Sequence, residues 1–297
     1  MRTPGQSVSE PVRIVEVSPR DGLQNESTIL PTATKLAFIL RLIAAGCTRI
    51  EVTSFVNPKA VPALADAADV VAQLGVPEGV DLIALVPNER GLERAMAAGC
   101  RSIELFTAAT DAFCQANIRC TIDESFGRFA PIMATASAAG LKVRGAVSVA
   151  FVCPFTGDVA TEAVIAVAKR LSDIGCSEVA ICDTTGKARH EQMVPMLEAI
   201  QRCLPLDQVA LHMHDTTGQA LDHIGLALDA GVRTFDAAVA GLGGCPFSPG
   251  APGNVATESV LELMAARGLE TGIDQRQIAE MGRWIRTQLS EATIASK

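Results

Sequence analysis

The chain has 297 residues, 48% of them hydrophobic and 20% charged, with a mean hydropathy of +0.28. That is enough apolar material for a sizeable core and too little polar bias for a disordered or fibrous protein. A formal net charge of −8, a pI near 5.1 and no Lys/Arg-rich block exclude nucleic acid or an anionic membrane as the main partner.

In chain order, short β-rich runs alternate with helical patterns. The runs fall at 12–17, 49–53, 81–85, 102–106, 143–149, 178–182, 208–213 and 233–239. Each is a brief, nearly unbroken apolar stretch, as expected of a parallel strand covered by helices. Helix-compatible stretches lie between them, at 32–45, 60–73, 88–98, 122–138, 161–173, 190–203, 217–230 and 256–267. Five of these end in Gly46, Gly99, Gly140, Gly175 or Gly231 directly before the next strand, as a left-handed residue closing a helix would. Eight such units predict an α/β protein, a (β/α)8 TIM barrel. A doubly wound sheet is the alternative, but RDGLQNE follows the first strand where a dinucleotide fold would carry GxGxxG. A final helix over 274–291 bears the only tryptophan, Trp284, and is expected to pack outside the barrel. No composition break divides the chain, so one domain over 1–297 is expected, with 1–11 as a flexible arm.

The nine cysteines form no CxxC pair, which argues against both a thiolate zinc site and a disulfide framework. With no apolar leader in MRTPGQSVSEP and no run of about 18 apolar residues, the expected location is the cytoplasm.

A barrel of this kind carries its chemistry at the C-terminal ends of the strands, and the unusual polar residues fall there. Arg20 and Asp21 follow the first strand, Glu51 lies in the second, Asp183 ends the sixth, and His212 and His214 end the seventh. Residues i and i+2 of a strand point to one side, so both imidazoles can reach one cation. Two imidazoles with oxygens from Asp21 and Asn254 suit a single Mg²⁺ or Mn²⁺ ion and not a thiolate zinc site. The alternative for the histidines is a hydrogen-bonded pair with no metal. Arg20 is a fixed cation suited to a developing enolate, although SPRDG also reads as a turn. Glu51 requires a partner or a function if it points inward, and would pair with Arg49 if it points to the helices. Segment 241–254 holds five glycines and three prolines, the pattern of a lid. Its Cys245 is a candidate proton donor or a bystander thiol.

Taken together, VRIVEVSPRDGLQNE (12–26), IEVTSFVNPKAVP (50–62), VRGAVS (143–148), HMHDTTGQAL (212–221) and AGLGGCPFSPGAPGNVATE (240–258) strongly resemble the 3-hydroxy-3-methylglutaryl-CoA lyase family. The resemblance runs from residue 12 to about 290. It implies a metal-dependent retro-Claisen cleavage of an acyl-CoA thioester to acetyl-CoA and a keto acid such as acetoacetate, in a homo-oligomer. By the same resemblance the metal ligands are Asp21, His212, His214 and Asn254. The catalytic residues are Arg20, Cys245, Asp183, Glu51 and His212, with Asp183 and His212 as candidate bases, and Arg20 and Arg144 face the substrate. The chain departs from the family pattern at Ala60 and Ala146, where Ala in place of an aromatic implies room for a bulkier acyl group, at Val149-Ala-Phe151, which replaces a smaller and more polar stretch, and in the added proline of SPGAPGN. Two further readings compete. One is an acetyl-CoA-condensing synthase of the isopropylmalate or citramalate type, disfavoured by Cys245 and by the chain's length. The other is a non-catalytic metal- or CoA-binding protein, disfavoured because every expected ligand is present.

Overall fold

The computed structural model describes residues 11–244 and 253–295. Eight parallel strands close into a barrel: β1 (Arg13–Glu16), β2 (Arg49–Ser54), β3 (Asp81–Leu85), β4 (Ser102–Ala108), β5 (Lys142–Ser148), β6 (Glu178–Asp183), β7 (Val209–Met213) and β8 (Thr234–Ala237). Each pairs with its sequence neighbours, and β1 closes the ring on β8 with Arg13 opposite Thr234 and Glu16 opposite Ala237. This is the predicted (β/α)8 architecture, and every predicted strand is present.

Among the described residues ten helices surround or extend the barrel: α1 (Thr32–Ala44), α2 (Ala67–Leu74), α3 (Glu89–Ala98), α4 (Asp111–Ile118), α5 (Ile122–Ala138), α6 (Thr161–Asp173), α7 (His190–Cys203), α8 (Ala220–Asp229), α9 (Thr257–Ala266) and α10 (Gln275–Ala295). The five glycines expected to close helices all have positive φ, from +68° to +102°. At Gly46 a side chain would also run into the backbone of Gly272. α10 lies against α1, as expected of a helix outside the barrel: the Trp284 ring stands 6.2 Å from that of Phe38, with the Arg41 guanidinium 4.5 Å above it.

Three features differ from the sequence expectation. The helix expected over 60–73 begins only at Ala67, after a short 3₁₀ turn at Pro62–Leu64. Pro58 and Pro62 lack backbone donors, and the segment is tied down by Asp66, which binds Lys35 at 2.6 Å and Thr32 at 2.7 Å. Helix α4 went unrecognised because it has little apolar periodicity. Thr110 caps it through the Phe113 N–H at 3.3 Å. A two-stranded hairpin, Val152–Cys153 with Gly157–Asp158, follows β5, an element the sequence reading did not include. The expected flexible arm, 1–11, lies almost wholly outside the described residues.

Candidate active site and metal centre

At the end of β1 the chain makes one π-type turn, Ser18–Gly22, in which the N–H groups of Arg20, Asp21 and Gly22 all reach the Val17 carbonyl at 2.8–3.2 Å. The turn holds the side chains of Arg20 and Asp21 at the open rim. Gly22 passes so close to the connection after β8 that a Cβ there would lie 2.9 Å from that of Leu242. Asp21 faces β7. Its Oδ2 is 4.0 Å from His212 Nε2 and 3.8 Å from His214 Nε2. One ligand atom from each of Asp21, His212 and His214 lies within 4.8 Å of the others, and all three residues are buried.

Asn254 reaches this cluster through an extra pairing. Residues 253–256 lie between the ends of β7 and β8: Asp215 N–H donates to Gly253 O at 3.0 Å, Val255 N–H to Met213 O at 3.0 Å, and Ala238 N–H to Val255 O at 3.1 Å. The Asn254 amide then donates to Asp21 Oδ2 at 2.7 Å and to Leu242 O at 3.0 Å. Cys245 lies outside the described residues. The ends of its loop are described, and the near end is fixed at the rim by Asn25, which donates to Gly244 O at 3.0 Å.

Beneath the triad the barrel interior is a web of ions. Arg20 stands 2.6 Å from Asp21, 2.6 Å from Glu51 and 3.8 Å from Glu104. Glu51 therefore points inward, the alternative in which it requires a partner or a function. Arg144 lies deeper, within 2.8 Å of Glu104 and Glu178 and 2.6 Å of Asp236. Arg49 reaches Glu178 from the far end at 2.8 Å. Burial works against the Arg20 charge, but three carboxylates outweigh it and hold the guanidinium protonated. Burial alone would raise Asp21; the Arg20 charge and the two imidazoles outweigh it and keep Asp21 well below the usual carboxylate range. Burial pushes Glu51 up to about 8 despite Arg20.

Five interior carboxylates (Asp21, Glu51, Glu104, Glu178 and Asp236) meet three guanidiniums (Arg20, Arg49 and Arg144). Donor type and spacing at Asp21, His212 and His214 fit a single divalent ion.

Two expected site residues are placed differently. Arg144 is not among the described residues lining the mouth cavity, and its guanidinium is engaged by three carboxylates. Asp183 is not among the described residues lining the cavity, and its carboxylate accepts from the Ala188 N–H at 2.9 Å, the Lys187 N–H at 3.2 Å and the Thr185 hydroxyl at 3.4 Å, closing the β6–α7 turn. Sequence reasoning also missed Glu104 and Asp236. Both are acids inside apolar strand runs, SIELF and TFDAAV, the criterion that singled out Glu51.

The cavity above the triad has a volume of about 990 Å³. Arg20, His212 and His214 border it on one side, Phe106 and Ala146 on another, and Ala60 stands at its rim.

Comparison with known proteins agrees with this geometry. The family model described as HMGL-like matches residues 11–285. The hydroxymethylglutaryl-CoA lyase of Pseudomonas mevalonii is 47% identical over 95% of this chain and 93% of its own length. The HMG-CoA lyase structure from Brucella melitensis superposes with a TM-score of 0.92 at 45% identity, covering 95% of this chain and 99% of that one. An HMG-CoA lyase from Acinetobacter baumannii, in complex with coenzyme A and 3-methylmalate, superposes with a TM-score of 0.92 at 34% identity, covering 96% of this chain and 93% of that one. The carboxyl transferase domain of Rhizobium etli pyruvate carboxylase, at 16% identity and a TM-score of 0.71, shares the fold alone. Motif order, barrel geometry and coverage over nearly the full length agree: this chain belongs to the HMGL-like family.

Proposed function

We propose that the protein is a carbon–carbon lyase that cleaves a 3-hydroxy-3-methylglutaryl-CoA-type thioester to acetyl-CoA and a keto acid, with one Mg²⁺ or Mn²⁺ ion held by Asp21, His212, His214 and Asn254. The observation that carries the reading is the buried Asp21–His212–His214 cluster at the barrel mouth, with the Arg20 guanidinium 2.6 Å from Asp21. When bound, the ion would lower the pKa of a tertiary hydroxyl placed against it.

In the cleavage the hydroxyl loses its proton, a carbonyl forms at C3, and the C2–C3 bond breaks with its electron pair passing to the thioester enolate. A proton delivered to C2 completes acetyl-CoA. Asp183, at the end of β6 beside the β7 histidines, is the candidate acceptor of the first proton; His212, with Nε2 toward Asp21 and Nδ1 against Asp236, serves as a ligand. Arg20, pinned between Asp21 and Glu51, is placed to stabilise the enolate oxygen. Cys245 is the candidate donor of the second proton. Arg144 serves the site from below, through Asp236.

The A. baumannii relative's complex with coenzyme A supports an acyl-CoA substrate. The free cysteines, seven of them buried, suit a reducing cytoplasm. No helix among the described residues is long and apolar enough to cross a membrane. Self-association belongs to the reading through the family resemblance.

The direct test is metal-dependent release of acetyl-CoA from 3-hydroxy-3-methylglutaryl-CoA. Activity lost to a chelator and restored by Mn²⁺ is expected, and no release with either ion would refute the reading.

One observation favours a larger acyl group within the same reaction. Ala146 of β5 and Cys182 of β6 line the cavity beside Phe106, and both belong to a cluster of small buried residues with Ala180 and Ala210. Barrel interiors are ordinarily filled by bulky branched side chains. Each extra methylene seated in an apolar pocket is worth about 1–3 kcal/mol in discrimination. A substrate with a three- or four-carbon 3-alkyl group is therefore expected to exceed the methyl substrate in kcat/KM by at least roughly tenfold. Ala146→Leu should reverse the order. A strong preference of the unaltered protein for methyl would end this part of the reading.

A further inference from the structure

His212 and His214 face Asp21 through equivalent nitrogens, but their far sides differ. His212 Nδ1 lies 3.1 Å from Asp236 Oδ2, whereas His214 Nδ1 is buried without a hydrogen-bond partner. Asp236 is in turn held by both terminal nitrogens of Arg144, at 2.6 and 3.1 Å. Arg144 is fixed by Glu104 and Glu178 at 2.8 Å each, and Glu178 by Arg49 from the opposite end of the barrel. A continuous ionic rod thus runs up the barrel interior and ends on one imidazole.

We infer that Asp236, backed by Arg144, is a positioning residue for His212: it holds the ring proton on Nδ1, leaving the Nε2 lone pair aimed at Asp21 and His214. The physical case rests on the tautomer. A neutral imidazole carries one ring proton, and a carboxylate against Nδ1 accepts only from Nδ1–H. The orientation is then set by two groups that cannot move: Asp236 is 4% exposed and Arg144 4%. Arg144 also makes an ionised Asp236 tenable in the interior. His214 has no such partner at Nδ1.

This inference rests on the reading of His212 as a metal ligand, and its test is metal affinity, with no substrate present. Mn²⁺ binding to the full chain is followed by the electron paramagnetic resonance signal of the unbound ion. Asp236→Asn should weaken Mn²⁺ binding roughly ten- to a hundredfold, the usual effect of losing a ligand's outer hydrogen-bond partner. Arg144→Lys keeps the charge but loses the two-pronged contact, and should weaken binding about three- to tenfold. It decides the matter if Asp236→Asn does not fold. A second readout is the ring-proton position in histidine-labelled, Mg²⁺-loaded protein, by long-range proton–nitrogen correlation. His212 should carry Nδ1–H in the unaltered chain and a mixture of tautomers in Asp236→Asn. A lower melting temperature with Mn²⁺ affinity and tautomer unchanged would overturn the inference, leaving Asp236 as a purely structural ion pair. Failure of the unaltered chain to bind Mn²⁺ would overturn the metal site and this inference with it. Mn²⁺ binding without thioester cleavage would refute the proposed activity and leave the positioning role standing.

Discussion

Arg20 illustrates how much one buried side chain is asked to do. It neutralises Asp21 and Glu51 and presents the only guanidinium bordering the metal triad among the described residues. Arg20→Gln is expected to lower kcat by about 10²–10³, the effect of removing one fixed donor from a developing oxyanion. The check is steady-state kinetics at saturating Mn²⁺. Glu16 makes a separate prediction about stability. It is fully buried, and its carboxylate accepts from the Ser18 and Val239 N–H groups and the Thr257 hydroxyl, tying the end of β1 to β8 and α9. Burial outweighs these bonds and raises its pKa from 4.5 to about 7. A carboxyl whose folded pKa is raised binds its proton more tightly in the folded state, so its contribution to stability is full at low pH and falls as pH rises from 4.5 through 7. The loss is about 3 kcal/mol. Denaturant unfolding at pH 5 and pH 8 should show that loss relative to Glu16→Gln; parallel pH profiles for the two chains would contradict it. At this scale the sequence picked out Glu51 as an acid in an apolar run. Asp236 and Glu104 satisfied the same criterion and were passed over, because the contacts that give them meaning span 92 and 40 residues of chain to Arg144.

The elements that build the site are short and irregular. The π-type turn after β1, the pairing of 253–256 with the ends of β7 and β8, and the β6–α7 turn closed by Asp183 each place one or two side chains. Gly243 and Gly253 mark where the two ends of the β8–α9 connection pass each other. Gly243 has φ of +108°, and a Cβ on it would lie 2.7 Å from Asn254 Nδ2; a Cβ on Gly253 would overlap the Gly243 carbonyl. Gly253→Ala is therefore expected to displace Asn254 and lower both Mn²⁺ affinity and turnover by at least about tenfold. Its far-ultraviolet circular dichroism should be unchanged, because no barrel strand depends on that contact. Titration calorimetry with Mn²⁺ gives the comparison. The late start of α2 and the unforeseen α4 have a common cause: prolines and caps set helix ends locally, whereas apolar periodicity reports only the face that packs.

Over the whole molecule, charge is distributed against its usual preference. The web beneath the site joins five carboxylates to three guanidiniums, and a cation held by Asp21, His212 and His214 in the folded chain alone adds stability by linkage. Saturating metal should raise the melting temperature, by an amount equivalent to about 2.7 kcal/mol when the free ion is at a hundred times its dissociation constant. Asp21→Asn should abolish that increment. Differential scanning calorimetry with and without Mn²⁺ measures both, and an unchanged transition in the native chain would contradict the metal site.

The amino-acid sequence alone determined the barrel, its strand order, the helix-closing glycines, and the identity of Arg20, Asp21, His212, His214 and Asn254 as one group. These are carried by local periodicity, by the two-residue spacing on a strand, and by motifs a few residues long. Only the tertiary structure decided that Glu51 points inward, that Asp183 faces its own turn, and that Arg144 lies beneath the cavity with Asp236 linking it to His212. Those outcomes depend on barrel register and on which charges share a region without water, and both are set by contacts between residues far apart in the chain.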